Sequence, residues 1–187
     1  MKELSLNILD ITKNSVRAGA DNISITLVTD PKGILTLSIA DDGCGMNEET
    51  VKAVTDPFYT SRTTRKVGLG IPFLILAANQ ANGDVTITSK HRDEYPDDHG
   101  TVITATFDTA SIDFTPLGDV TGTIVTLING SPDTDFEFED TTPKGTVRLS
   151  TKELKEVLGG VSLAEFEVLQ WIQEYLEEQY SAREENS

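Results

Sequence analysis

The chain has 187 residues, with 31 Asp and Glu against 15 Lys and Arg and a formal net charge of -16; this acidic balance argues against nucleic acid or an anionic membrane as the main partner, since both demand a basic face. A hydrophobic share of 37% suits a globular protein, one domain plus a smaller appendage, and the single cysteine excludes an internal disulfide or a multi-cysteine metal site. No signal-peptide core and no apolar run near the ~20 residues of a membrane span is present, so the expectation is a cytoplasmic protein without membrane contact.

Residues 3 to 18 put Leu4, Ile8, Ile11 and Ser15 on one helical stripe with Leu9 and Val16 beside it, and Gly19 caps the run. Asp10, Asn14 and Arg17 follow one another at spacings of four and three, so they share one side of that helix. Taken alone, such polar residues are either satisfied core groups or site residues. Residues 22 to 28 and 34 to 40 alternate with period two around Asp30-Pro31-Lys32-Gly33, which reads as a β-hairpin. The second strand runs into Asp41-Asp42-Gly43-Cys44-Gly45-Met46, where two glycines allow a sharp turn beside an acidic side chain. Cys44 reads as a tolerated small residue, with a redox switch as the alternative. Asn47 is placed to N-cap a short helix to about Val54, with Glu48 and Glu49 in its first turn.

Residues 56 to 72 are the centre of the sequence. The aromatic pair Phe58 and Tyr59 precedes a hydroxyl-rich loop with Arg62, Arg65 and Lys66, then Gly68-Leu69-Gly70 and an apolar helix with Pro72 in its first turn. Glycines that admit close backbone approach, a helix N-terminus and three cations in a strongly acidic chain together suit a polyphosphate. A Gly-rich turn with a solvated basic flank is the plainer alternative.

After Gly83, read as a helix C-cap, come strands at 84 to 90 and 102 to 107, joined by a polar loop. That loop holds both histidines, His91 and His99, read as loop surface. Pro116 and Gly118 mark a boundary. A helix is expected at 119 to 128, a strand pair at 136 to 139 and 146 to 149, and helices at 151 to 158 and 163 to 180. Capping-box patterns at Ser150…Glu153 and Ser162…Glu165 support the last two. The final helix carries Leu163, Phe166, Leu169, Trp171, Ile172, Tyr175 and Leu176, a broad apolar face that packs on its own domain, a partner groove or a second copy. Residues 181 to 187 read as a polar tail.

Five motifs, Asp10-x-x-x-Asn14, Asp41-x-Gly43-x-Gly45, Pro57-Phe58, Gly68-x-Gly70 and Gly100-Thr101, stand in the order and approximate spacing of the GHKL ATP-binding fold. The resemblance covers residues 3 to 107 and spans features of histidine kinases (the Asp-Pro-Phe-Tyr-Thr-Ser-Arg lid, Arg17) and of mismatch-repair ATPases (Asn14-Ser15, Ala18-Gly19-Ala20). It implies an α+β two-layer sandwich of the Bergerat type: a mixed, mostly antiparallel sheet covered on one face by helices. Residues 1 to 112 would form the ATP domain and 113 to 187 a small α+β extension for partner docking or packing. ATP and Mg2+ are the implied cofactors. Asn14 resembles the magnesium ligand, Asp41 the adenine reader, Thr101 a second adenine contact, and Gly43, Gly45 and Met46 the backbone beside the base. Phe58, Arg62, Arg65, Lys66, Gly68, Leu69 and Gly70 would form the lid and glycine box, and Arg17 a further phosphate cation.

Two departures matter. Asp10 stands where hydrolytic members carry glutamate, so its carboxylate sits about one C–C bond back; a displacement of ~1 Å can lower a rate ~10²-fold. No histidine-bearing dimerisation hairpin precedes the domain, so phosphorylation of a separate regulatory or phosphoacceptor protein is the leading expectation. A nucleotide-gated interaction module with little catalysis and a slow ATPase are the alternatives. A homodimer through the C-terminal helix is a further expectation.

Overall fold

The computed structural model describes residues 3–56 and 69–186. A six-stranded sheet in the order β3-β4-β2-β1-β5-β6 forms its centre. The strands are β1 (Asn22–Thr29), β2 (Ile34–Asp41), β3 (Val85–Lys90), β4 (Gly100–Asp108), β5 (Asp135–Thr142) and β6 (Gly145–Ser150). All neighbours pair antiparallel except β1 and β5, which run parallel. The helices are α1 (Leu4–Arg17), α2 (Glu48–Thr55), α3 (Gly70–Gln80), α4 (Val120–Gly130), α5 (Thr151–Leu158) and α6 (Phe166–Glu185).

Period-two alternation sets which face is covered. Ile23, Ile25 and Leu27 of β1 are buried, as are Leu35, Leu37 and Ile39 of β2, whereas Ser24, Thr26, Thr36 and Ser38 between them are partly exposed. Register carries the pattern across the sheet: Ile25 faces Ile39 and Phe138, and Ile39 in turn faces Ile103. The helices lie on that apolar side, so the fold is an α+β sandwich with one covered face. Among the described residues no helix is long and apolar enough to cross a membrane.

Residues 135 to 150 extend this same sheet. Phe136 and Phe138 of β5 are buried in the core shared with α1 and β1. The segment is tied to the start of the chain as well: the first N–H groups of α1, Leu4 and Ser5, donate to the carbonyls of Pro116 and Leu117, each at 2.8 Å.

Several local expectations need correction. Asn82, at φ 57°, ends the turn after α3, while Gly83 is required because a Cβ there would overlap the Thr106 carbonyl. Ser162 is not a helix cap; its Oγ accepts from Ala164 N, and α6 begins at Phe166. The polar tail is helical to Glu185, since Arg183 reaches back to donate to the Asp140 carbonyl at 2.9 Å and pair with its carboxylate at 3.1 Å. The apolar face of α6 is narrower than the sequence suggests, with Ile172 and Leu176 buried but Phe166 77% exposed.

Candidate functional site

The end of the sheet nearest β3 builds the site through register. Asp41 pairs with Thr101 across β2 and β4, and Thr101 with Ser89 across β4 and β3. All three continue the parity of the buried Ile39 and Ile103 and the partly buried Ile87. Their polar side chains therefore stand in a row on the helix-covered face, at the rim of the apolar core.

Each is held. Ser15 of α1, 5% exposed, donates its hydroxyl to Asp41 Oδ2 at 2.6 Å, and Gly43 N donates to Oδ1 at 2.9 Å. Ser89 Oγ accepts from Met46 N at 2.7 Å, donates to the Gly100 carbonyl at 3.1 Å and lies 2.7 Å from Thr101 Oγ1. The loop after Asp41 is locked by close backbone contact. A Cβ on Gly45 would overlap the Lys90 carbonyl and its φ is 73°, while Gly100, at φ 142°, lies against the Asp41 carbonyl. These glycines serve backbone packing around the motif, a role the sequence reading did not give them. Gly70 likewise lets α3 approach α1, since a Cβ there would stand 3.1 Å from Asp10 Cβ.

A cavity of about 350 Å³ opens over this row, lined among others by Asn14, Arg17, Asp41, Gly45, Met46 and Thr101. Gly43 adjoins it through its bond to Asp41. Asn14 Oδ1 accepts from Arg17 Nη1 at 3.2 Å, and Asn14 Nδ2 is buried without a partner. Asp10 lies one turn earlier on α1. Leu69 is the residue before α3, 66% exposed, and among the described residues no side chain caps the first N–H groups of that helix. Phe58, Arg62, Arg65, Lys66 and Gly68 lie outside the described residues.

Residues 2–111 match the family described as histidine kinase-, DNA gyrase B-, and HSP90-like ATPase. The chain belongs to this family. Its sheet and helices are those of the GHKL fold, and ATP binding is the family's common property. Sporulation kinase E of Bacillus subtilis (strain 168) is 29% identical over 92 residues, 48% of this chain and 12% of that protein. Human mismatch repair endonuclease PMS2 is 31% identical over 94 residues, 47% of this chain and 11% of that protein. The chain thus spans far less than two thirds of the curated relatives it matches. The topoisomerase IV ATP-binding domain of Francisella tularensis, solved with a small-molecule inhibitor, superposes with a TM-score of 0.54 at 16% identity, covering 80% of this chain and 87% of that one. The Aquifex aeolicus MutL ATPase domain, solved with ADP, gives 0.51 at 12% identity, covering 85% of this chain and 70% of that one. Both likenesses are of fold, and at such coverage they reach past residue 112 into the C-terminal segment.

Sequence reasoning missed Ser15, Ser89, Asn7 and His99. Ser15 reads as part of a helical stripe and of the Asn14-Ser15 likeness to mismatch-repair ATPases, with no site role, and its being the one hydroxyl in that stripe is the signal. Ser89 shares the parity of Val85 and Ile87. Asn7, 1% exposed, donates to the Gly70 carbonyl at 3.3 Å and joins α1 to α3. His99 is half-buried rather than loop surface, its Nδ1 lying 2.5 Å from the Gly43 carbonyl; that is a long-range contact with no local sequence signature.

Proposed function

We propose that the chain binds Mg-ATP in the cavity beneath α1 and transfers the γ-phosphoryl group to a Ser, Thr or His side chain of a separate protein. The observation that carries the binding reading is Asp41, fixed by Ser15 and Gly43 at the cavity rim beside Thr101. A carboxylate so held accepts the N6 amine of adenine on its remaining lone pairs and meets the O6 acceptor of guanine unfavourably. The triphosphate would extend along α1 toward the uncapped N-terminus of α3, where N–H groups and the helix dipole favour anions.

Mg2+ fits the donors present. Among the described residues no group of three His, Cys, Asp or Glu could hold a metal, so phosphate oxygens must supply most ligands, as this ion accepts. Asn14 is the protein group for it: its Oδ1, which accepts from Arg17, would turn to the ion, while its buried, unpartnered Nδ2 would donate to a phosphate oxygen. When bound, the ion neutralises charge on the β- and γ-phosphates. Arg17, released from Asn14, turns to a phosphate oxygen. Asp10 orients the acceptor and takes its proton as the acceptor atom bonds to the γ-phosphorus and the bond to the β–γ bridging oxygen breaks, leaving ADP. The match to a sporulation kinase supports transfer over hydrolysis.

One observation favours the reading with little chemistry. Among the described residues no hydrogen bond or ion pair orients the Asp10 carboxylate, and Gly70 packs beside its Cβ, which in that reading leaves Asp10 to serve the N-terminus of α3. Residues 113 to 187 would then present a surface that nucleotide shapes. Incubation with γ-labelled ATP and lysate of the source cell separates the two: transfer predicts a labelled protein that is lost with Asp10→Ala. Absence of label with intact ATP binding would leave the gated module.

A further inference from the structure

Among the described residues, the one face-to-face stack of aromatic rings lies on α6, outside the lining of the cavity over Asp41. Trp171 and Tyr175 stack with ring centroids 4.8 Å apart and an interplanar angle of 10°, and they are 47% and 37% exposed. Glu167, Glu174 and Glu178 fall three or four residues from these rings, so they share their side of the helix. Among the described residues no cation pairs with Glu167, Glu174, Glu177 or Glu178. A groove of about 470 Å³ on α6 is lined by Glu174, Glu177, Glu178 and Glu185. It shares Glu177 and Ser181 with a second groove, of about 510 Å³, between α6 and the start of α4. Arg183 lines the second groove; its side chain is 10% exposed and its guanidinium holds Asp140, but Nε has no partner.

We infer that this face of α6 docks a basic amphipathic segment of a partner protein. The faces of stacked aromatic rings attract guanidinium and ammonium groups, and carboxylates one turn away hold such groups in place. Apolar residues of the segment cover the indole and phenol edges. A second copy of the chain is the wrong occupant, because α6 carries six glutamates and one arginine, and that arginine is committed to Asp140. Like charges would oppose self-association, and the same sign repels nucleic acid. The inference is independent of whether phosphoryl transfer occurs.

Trp171 is the only tryptophan, so its fluorescence reports on this face alone. The probe is a synthetic arginine–leucine amphipathic peptide of ~18 residues, five helical turns, titrated into the full chain. Controls are a peptide of the same composition in scrambled order and one with glutamate for arginine. The expected result is saturable fluorescence change with the patterned basic peptide only, weakened about tenfold or more in Glu174→Lys/Glu178→Lys, as lost charge contacts imply. Melting temperature and circular dichroism of the variant should match the parent, since both positions are solvent-facing; Trp171→Phe, read by calorimetry, gives a second variant with the ring face retained in part. Equal binding of the scrambled peptide, unchanged affinity in the charge-reversed variant, no binding, or sedimentation as a dimer that Glu174→Lys abolishes would each overturn the inference.

Discussion

Asp41→Asn separates the proposed adenine-reading role of this side chain from its structural one. In the parent, Oδ2 accepts from Ser15 and Oδ1 from Gly43 N, so both bonds point into the carboxylate. An asparagine keeps the fold, because its carbonyl oxygen can stay on Gly43 N, which has no other acceptor, and its Nδ2 can donate to Ser15 Oγ. That hydroxyl then turns toward the Ile11 carbonyl, 3.5 Å away. Two charge-assisted bonds become neutral ones, a loss of about 1 kcal/mol in stability. Toward the cavity, however, an amide N–H now faces the N6 amine of adenine, donor against donor. A bond to a charged acceptor is lost and the facing donors go unsatisfied, together about 3 kcal/mol, or roughly a hundredfold in Kd. Titration calorimetry with Mg-ATP measures that change, and a melting curve checks the fold. The preference for ATP over GTP should collapse, since Nδ2 can donate to guanine O6. Affinity for ATP within about threefold of the parent, with an unchanged melting temperature, would refute the reasoning, because a factor so small is worth less than one hydrogen bond.

Other substitutions sort by where their effect falls. Ser15→Ala removes a bond to Asp41 that is present before any ligand arrives, so about 1.5–3 kcal/mol should be lost from unfolding free energy in denaturant while ATP affinity falls only a few-fold. Ser89→Ala strands Met46 N–H and releases Thr101, and melting should report a loss of about 1–3 kcal/mol. Asp140→Ala leaves the buried Arg183 guanidinium unpaired and frees the Tyr180 hydroxyl that donates to Asp140 at 2.7 Å, a destabilisation of about 3–5 kcal/mol by chemical denaturation. Burial raises the pKa of Asp42, but the bonds it accepts from Asn22 Nδ2, Asn22 N and Asp21 N outweigh it and hold the pKa below 3.8. The folded state thus prefers the carboxylate: its contribution is full above the unfolded value and is lost as pH falls through the lower folded one. Asp42→Asn should flatten that part of the acid limb in melting temperature against pH.

The legible parts of the fold were those with local causes. Alternation over residues 22 to 28 and 34 to 40 marks both strands to within one residue of their ends, and Asn47 caps α2 as its side chain suggests, accepting from Thr50 N at 2.8 Å. Asp41, Asn14, Arg17 and Thr101 could be placed around one cavity because family motifs mark them. What stayed hidden depends on contacts between distant segments. The glycine motif reads as an approach to ligand, yet Gly45 and Gly100 are demanded by the Lys90 and Asp41 backbones. Phe136 to Glu139 reads as a strand, but nothing local says that it will lie parallel to β1 and continue the same sheet. Helical continuation to Glu185 rests on Arg183 finding Asp140, across a separation that no helix propensity senses.

That last group of contacts bears on how a bound nucleotide would reach the C-terminal segment. α1 carries Asp10 and Asn14, and Glu3 at its N-cap makes no capping bond from its side chain. The helix is instead capped by carbonyls of Pro116 and Leu117, and Thr123 Oγ1 of α4 donates to the Ser5 carbonyl at 3.4 Å. α4 in turn packs on α6, and β5 on β1. An end of α1 is therefore built from the segment it would have to influence, so a shift or rotation of that helix cannot leave α4 in place without breaking the two backbone bonds. Coupling needs no separate hinge. Replacing Thr123 by Val keeps shape and burial while removing one of those links; if α1 and α4 move together, the variant should retain ATP affinity but show a smaller nucleotide-induced change in Trp171 fluorescence. An unchanged Trp171 response would mean that coupling runs through the backbone caps or the β1–β5 pair rather than through this hydroxyl.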